Sequence, residues 1–81
     1  MKRTAGMILR KRWETSSRWY EAELVYDLLG DWVVVRRWGG KGSKRHGEMT
    51  CLVEDEAHGH QLIEHIHVVR TRRKPPYSLV Y

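Results

Sequence analysis

The stretch Trp32–Gly42, W-V-V-V-R-R-W-G-G-K-G, joins a β-branched run to paired arginines, a second tryptophan and three glycines. Valine-rich sequence of this kind reads as a strand, and the glycines are expected to end it abruptly after Trp38. Working backwards, Arg18 to Tyr26 alternates: Tyr20, Ala22, Leu24 and Tyr26 share one face, while Trp19, Glu21, Glu23 and Val25 share the other. Asp27-Leu28-Leu29-Gly30-Asp31 then has the length and glycine of a hairpin connection, so the two strands are antiparallel. Working forwards, Gly39 to Gly47 reads as a glycine-rich loop carrying Lys41, Lys44, Arg45 and His46, and Glu48 to Val53 as a returning strand.

The flanks complete the plan. Met7 to Trp13 reads as an edge strand whose cations discourage unwanted pairing, with residues 1–6 expected to be disordered. Glu14 to Ser17 has turn composition. Glu54-Asp55-Glu56 places three acids where the positive end of a helix dipole favours them. Leu62, Ile66 and Val69 form the apolar stripe expected to seat that helix, although Gly59 weakens it. Arg70, Arg72, Arg73 and Lys74 suit its C-terminal turn, Pro75-Pro76 stops it, and Tyr77 to Tyr81 reads as a short final strand. The expected fold is α+β: an antiparallel sheet of four to five strands with one helix packed across it, forming a single domain over residues 7–81.

Composition narrows the function classes. Eighty-one residues make one small domain, and four Trp and four Tyr must supply the large aromatic volume because Phe is absent. A formal charge of +5 and a sequence pI of about 9.7 favour a polyanionic partner. The single cysteine, Cys51, excludes an intrachain disulfide and a zinc ribbon. No apolar run approaches the ~18 residues of a membrane span. Met7-Ile8-Leu9, bracketed by basic residues, does not read as a secretory signal. No membrane partner and a cytoplasmic location are expected.

An aromatic beside cations and glycine-freed backbone N–H groups suits a sugar-phosphate chain. The candidate nucleic-acid-binding residues are Arg37, Trp38, Gly39, Lys41, Lys44 and Arg45. Trp38 has two readings, stacking on a ribose or base and core packing at a strand end. Lys41, Lys44 and Arg45 read as phosphate contacts or as an ordinary solvated loop. Arg70 to Lys74 extend the basic surface only if tertiary packing brings them to the loop. His60, Glu64 and His67 share a helix face at i, i+4 and i+7, but no zinc motif frames them, and no metal or cofactor is expected. Cys51, within T-C-L-V, reads as core filling, and no catalytic triad, phosphate loop or paired-carboxylate motif suggests an enzyme.

The order of these pieces resembles the WGR domain, a small α+β module of DNA-dependent poly(ADP-ribose) polymerases and assorted bacterial proteins. The likeness runs from Arg18-Trp19-Tyr20-Glu21 through Gly30-Asp31 to Arg36-Arg37-Trp38-Gly39. It continues through Gly42, Gly47-Glu48, the helix after Ala57, Lys74 and Tyr77. It departs at Gly40, which stands where the family has the arginine of Trp-Gly-Arg, and at Lys41, where an apolar residue is usual. The resemblance implies a non-catalytic domain that binds nucleic acid, DNA ahead of RNA, at the backbone or ends, with Trp38 inheriting the stacking role. The alternative is a protein-protein interaction module or adaptor subunit without direct nucleic-acid binding, which the missing arginine favours.

Overall fold

Turn chemistry and alternation fix the sheet in the computed structural model, which describes residues 4–81. Five strands, β1 (Thr4–Glu14), β2 (Arg18–Asp27), β3 (Trp32–Gly40), β4 (His46–Val53) and β5 (Ser78–Leu79), and one helix, α1 (Glu56–Thr71), follow in the order β1-β2-β3-β4-α1-β5. The strands form one antiparallel sheet in the spatial order β4-β3-β2-β1-β5. Thr15 Oγ1 accepts from the amides of Ser17 and Arg18 at 3.2 and 2.9 Å, turning the chain from β1 into β2. In the next hairpin the Asp27 carboxylate accepts from the amides of Leu29 and Asp31 at 2.9 and 3.0 Å. Gly30 supplies the positive φ of 83° that this turn requires.

The period-2 alternation sorts the side chains as expected. Trp13, Tyr20, Ala22, Leu24 and Val34 lie on the face covered by α1, where they are buried with Val53, Ile63, Ile66 and Tyr77. Cys51 packs half-buried against this core. On the opposite face Val25, Val33 and Val35 form a smaller buried cluster. The helix begins at its N-cap Asp55, whose side chain accepts from the His58 amide at 2.8 Å, with Glu56 in the first turn and Arg70 in the last.

Four boundaries and one face differ from the sequence expectation. Strand β1 begins at Thr4 and not at Met7; residues 1–3 of the segment expected to be disordered lie outside the described residues. Strand β3 does not stop at the glycines but runs through Gly40, because Gly39 and Gly40 pair with Trp19 and Arg18. The Trp19 indole lies across Gly39, where a Cβ would sit 3.0 Å from the ring, so glycine here extends the strand beneath an aromatic. The connecting loop is correspondingly short, with β4 starting at His46. Strand β5 is two residues long, although Arg12 still exchanges backbone hydrogen bonds with Val80 and Tyr81.

The buried helix face is Gly59, Ile63 and Ile66; Leu62 is only partly buried and Val69 is exposed. Gly59 seats the helix: a Cβ there would lie 2.2 Å from Leu24 Cδ1. The residue that weakens the helix by propensity permits its close approach to Leu24 on the sheet.

Candidate nucleic-acid interface

Sheet register and the end of α1 build a basic cleft around one aromatic stack. Tyr20 and Trp38 are cross-strand partners on the helix-covered face, and their rings stack at 5.8 Å between centroids and 12° between planes. The other neighbour of Trp38 is Gly47, and a Cβ at Gly47 would fall 2.4 Å from the indole. Tyr20 and the bare backbone of Gly47 thus define where the half-buried indole lies. Arg36, two residues earlier on the same face, donates from Nε to the Tyr20 hydroxyl at 2.6 Å. The guanidinium of Arg70 sits 3.9 Å from the Tyr20 ring centroid and 5.5 Å from that of Tyr77. Its Nε is buried with no hydrogen-bond partner among the described residues.

These groups open onto a cleft of about 590 Å³. Its cationic lining is Arg18, Arg36, Arg70, Arg73 and Lys74; its aromatic lining is Trp19, Tyr20, Trp38 and Tyr77; no carboxylate contributes. Among the described residues none of the five cations forms an ion pair, whereas Arg10, Arg12, Arg37 and Lys41 each bind glutamate. A second, shallower depression of about 610 Å³ adjoins the first across Arg18, Trp38 and Gly39, and adds Arg45, His46 and Gly47. Trp38 therefore borders two joined depressions with positively charged walls.

The six residues selected from the sequence separate in space. Trp38 and Gly39 line both depressions, and Arg45 lines the second. Lys44 is exposed and lines neither. Lys41 is held by Glu14, with Nζ to Oε1 at 2.9 Å. Arg37 faces away from Trp38, where it binds Glu23 and donates to Glu48 at 2.8 Å. The Glu23 bond leads the interactions that raise the Arg37 pKa and keep the group charged, so its charge is balanced within the sheet.

Sequence reasoning does not select Arg18 or Arg36, and it makes Arg70, Arg73 and Lys74 conditional on tertiary packing, yet all five meet at the cleft. Arg36 is findable, because it shares alternation parity with Trp38. Arg18 is marked by its place next to the β1–β2 turn, at the same end of the sheet as the glycines. No local signal fixes where the end of α1 falls.

Other candidate groups have structural partners. His67 Nδ1 accepts a 3.0 Å hydrogen bond from Nε1 of the fully buried Trp13, and His60 pairs with Glu56 at 3.3 Å. Among the described residues no cluster of three or more His, Cys, Asp or Glu side chains has the arrangement to hold a metal ion, and no helix is long and apolar enough to cross a membrane. Compared with protein-family models, with curated proteins and with solved structures, the chain finds no match.

Proposed function

We propose that this domain is a non-catalytic nucleic-acid binder that holds a phosphate backbone in the cleft beside Trp38. The observation that carries the reading is the cleft wall: five cations without carboxylate partners among the described residues, around a Trp–Tyr stack. Phosphate would replace the missing counter-charges, and the part of Trp38 that lines the two depressions offers a base or ribose an aromatic contact. Arg70, whose Nε has no hydrogen-bond partner among the described residues, adds its charge to that wall. The WGR resemblance in the sequence favours DNA over RNA, held at its backbone or its ends. Arg37 and Lys41, balanced by glutamates, take no direct part in this reading, while Arg45 joins from the second depression.

The test is a fluorescence-anisotropy titration of the domain with a 5′-phosphorylated linear duplex and with a closed dumbbell, between ~50 and ~200 mM salt. Tighter, salt-sensitive binding to the open duplex supports an end-binding cleft. Equal salt-sensitive binding reduces the site to a general backbone clamp. Absence of binding at the lower salt refutes the proposal and favours the protein-interaction alternative.

A further inference from the structure

We propose that β4 is a self-association edge, through which a second copy of this chain adds its own β4 antiparallel to form one continuous ten-stranded sheet. The two ends of the sheet differ. The β1 end is interrupted by register shifts between Thr4 and Gly6 and between Met7 and Leu9, and β5 covers it at Trp13 and Glu14. The β4 end has none of these protections. Its eight residues run in unbroken register with β3, its composition H-G-E-M-T-C-L-V includes one formal charge and no proline, and Met49 and Leu52 are 50% and 71% exposed. No strand among the described residues pairs with its outer side.

Charge identifies the occupant. Strand β4 is preceded by Lys44-Arg45 and followed by Glu54-Asp55-Glu56, all exposed. Parallel pairing would bring like charges together; antiparallel pairing of two identical strands brings the basic entrance of each beside the acidic exit of the other. The register is restricted further. Backbone groups pointing outward alternate along the strand, so opposed residues in a two-fold ladder have numbers of the same parity and a residue must lie on the axis. With Thr50 on the axis, the strand entrance of each copy, with Lys44 and Arg45, lies beside the strand exit of the other, with Glu54, Asp55 and Glu56. Met49 meets Cys51 on the helix-covered face, and the two threonines face each other, a favourable cross-strand pair. The two-fold is normal to the sheet, so both helices and both basic clefts lie on the same side of the dimer. Lys44, which lines neither depression, gains a carboxylate partner. This inference does not depend on the nucleic-acid reading.

Sedimentation equilibrium of the 81-residue chain tests it, and the expected result is a concentration-dependent doubling of mass that weakens with salt. Lys44→Glu/Arg45→Glu and Glu54→Lys/Glu56→Lys are each expected to be monomeric alone and to recover the dimer when mixed. In a Cys51→Ala background, oxidation is expected to cross-link Thr50→Cys, and not Leu28→Cys at the hairpin tip, into a covalent dimer; this readout decides if near-ultraviolet circular dichroism shows a reversal variant to be unfolded. A wild-type monomer at every concentration, a dimer insensitive to both reversals, or a mixture that stays monomeric would overturn the proposal.

Discussion

Replacing Gly59 by alanine should destabilise the native chain yet stabilise it once Leu24 is truncated. In an exposed helix interior the substitution gains about 1 kcal/mol over glycine. Here the new Cβ would lie 2.2 Å from Leu24 Cδ1, 3.1 Å from Cδ2 and 3.2 Å from Cγ. Carbon contacts are optimal near ~3.5–4.0 Å, so Leu24, fully buried beneath the helix, must leave its rotamer or push α1 off the sheet. Overpacking of this kind costs about 1–3 kcal/mol, which outweighs the propensity gain over most of its range. Leu24→Ala alone should cost about 2–5 kcal/mol. In that background the clash is gone, the added methyl fills part of the cavity, and the propensity gain returns. The double variant should therefore be more stable than Leu24→Ala by about 1 kcal/mol. Urea denaturation of the four proteins closes the cycle, with midpoints compared at constant slope. The same sign for Gly59→Ala in both backgrounds would refute the packing argument.

Other consequences follow from individual interactions. Glu21, only 7% exposed, accepts from Arg12 at 2.6 Å, from Arg10 at 3.4 Å and from the Tyr81 hydroxyl at 3.1 Å. Burial alone would push its carboxyl up, but these donors and charges more than offset it and hold the pKa below the ordinary carboxylate value. The resulting stabilisation is full above the unfolded pKa and is lost as pH falls through the folded one. Urea midpoints should thus decline as pH falls below the ordinary carboxylate range, less steeply in Glu21→Gln, and parallel profiles would contradict this assignment. Gly47→Ala should force the indole of Trp38 from its place, shifting tryptophan emission and, on the proposed function, weakening DNA binding; unchanged emission and binding would contradict it. Asp55→Ala should remove the cap on the His58 amide and cost about 1 kcal/mol in urea, an effect absent if the helix start is held by other groups.

The sheet was legible because alternation has a period of two, and the parities of Tyr20, Leu24, Val34 and Val25 survive in the folded chain. The glycines are harder to read. On local propensity Gly39 marks a strand end and Gly59 a helix weakness, but each admits a large side chain from a neighbouring element, Trp19 and Leu24. Such packing is tertiary, and composition does not announce it. The candidate site divides in the same way. The sequence places Trp38 beside cations, but it does not show that Glu23, Glu48 and Glu14 occupy Arg37 and Lys41. Nor does it show that the end of α1 carries Arg70, Arg73 and Lys74 to the Trp38 side of the sheet.

On the proposed function, phosphate is held in the cleft and not by Arg37, whose charge is already balanced by glutamates. The most direct measurement is the salt dependence of duplex binding for Arg73→Ala/Lys74→Ala, which removes two cleft cations that have no ion-pair partner among the described residues, beside Arg37→Ala. If both side chains neutralise phosphates of duplex DNA, the log–log slope of the cleft variant should flatten by about 0.9 for each phosphate no longer neutralised, while that of Arg37→Ala stays at the wild-type value. A slope unchanged in the cleft variant, or flattened only in Arg37→Ala, would contradict the account.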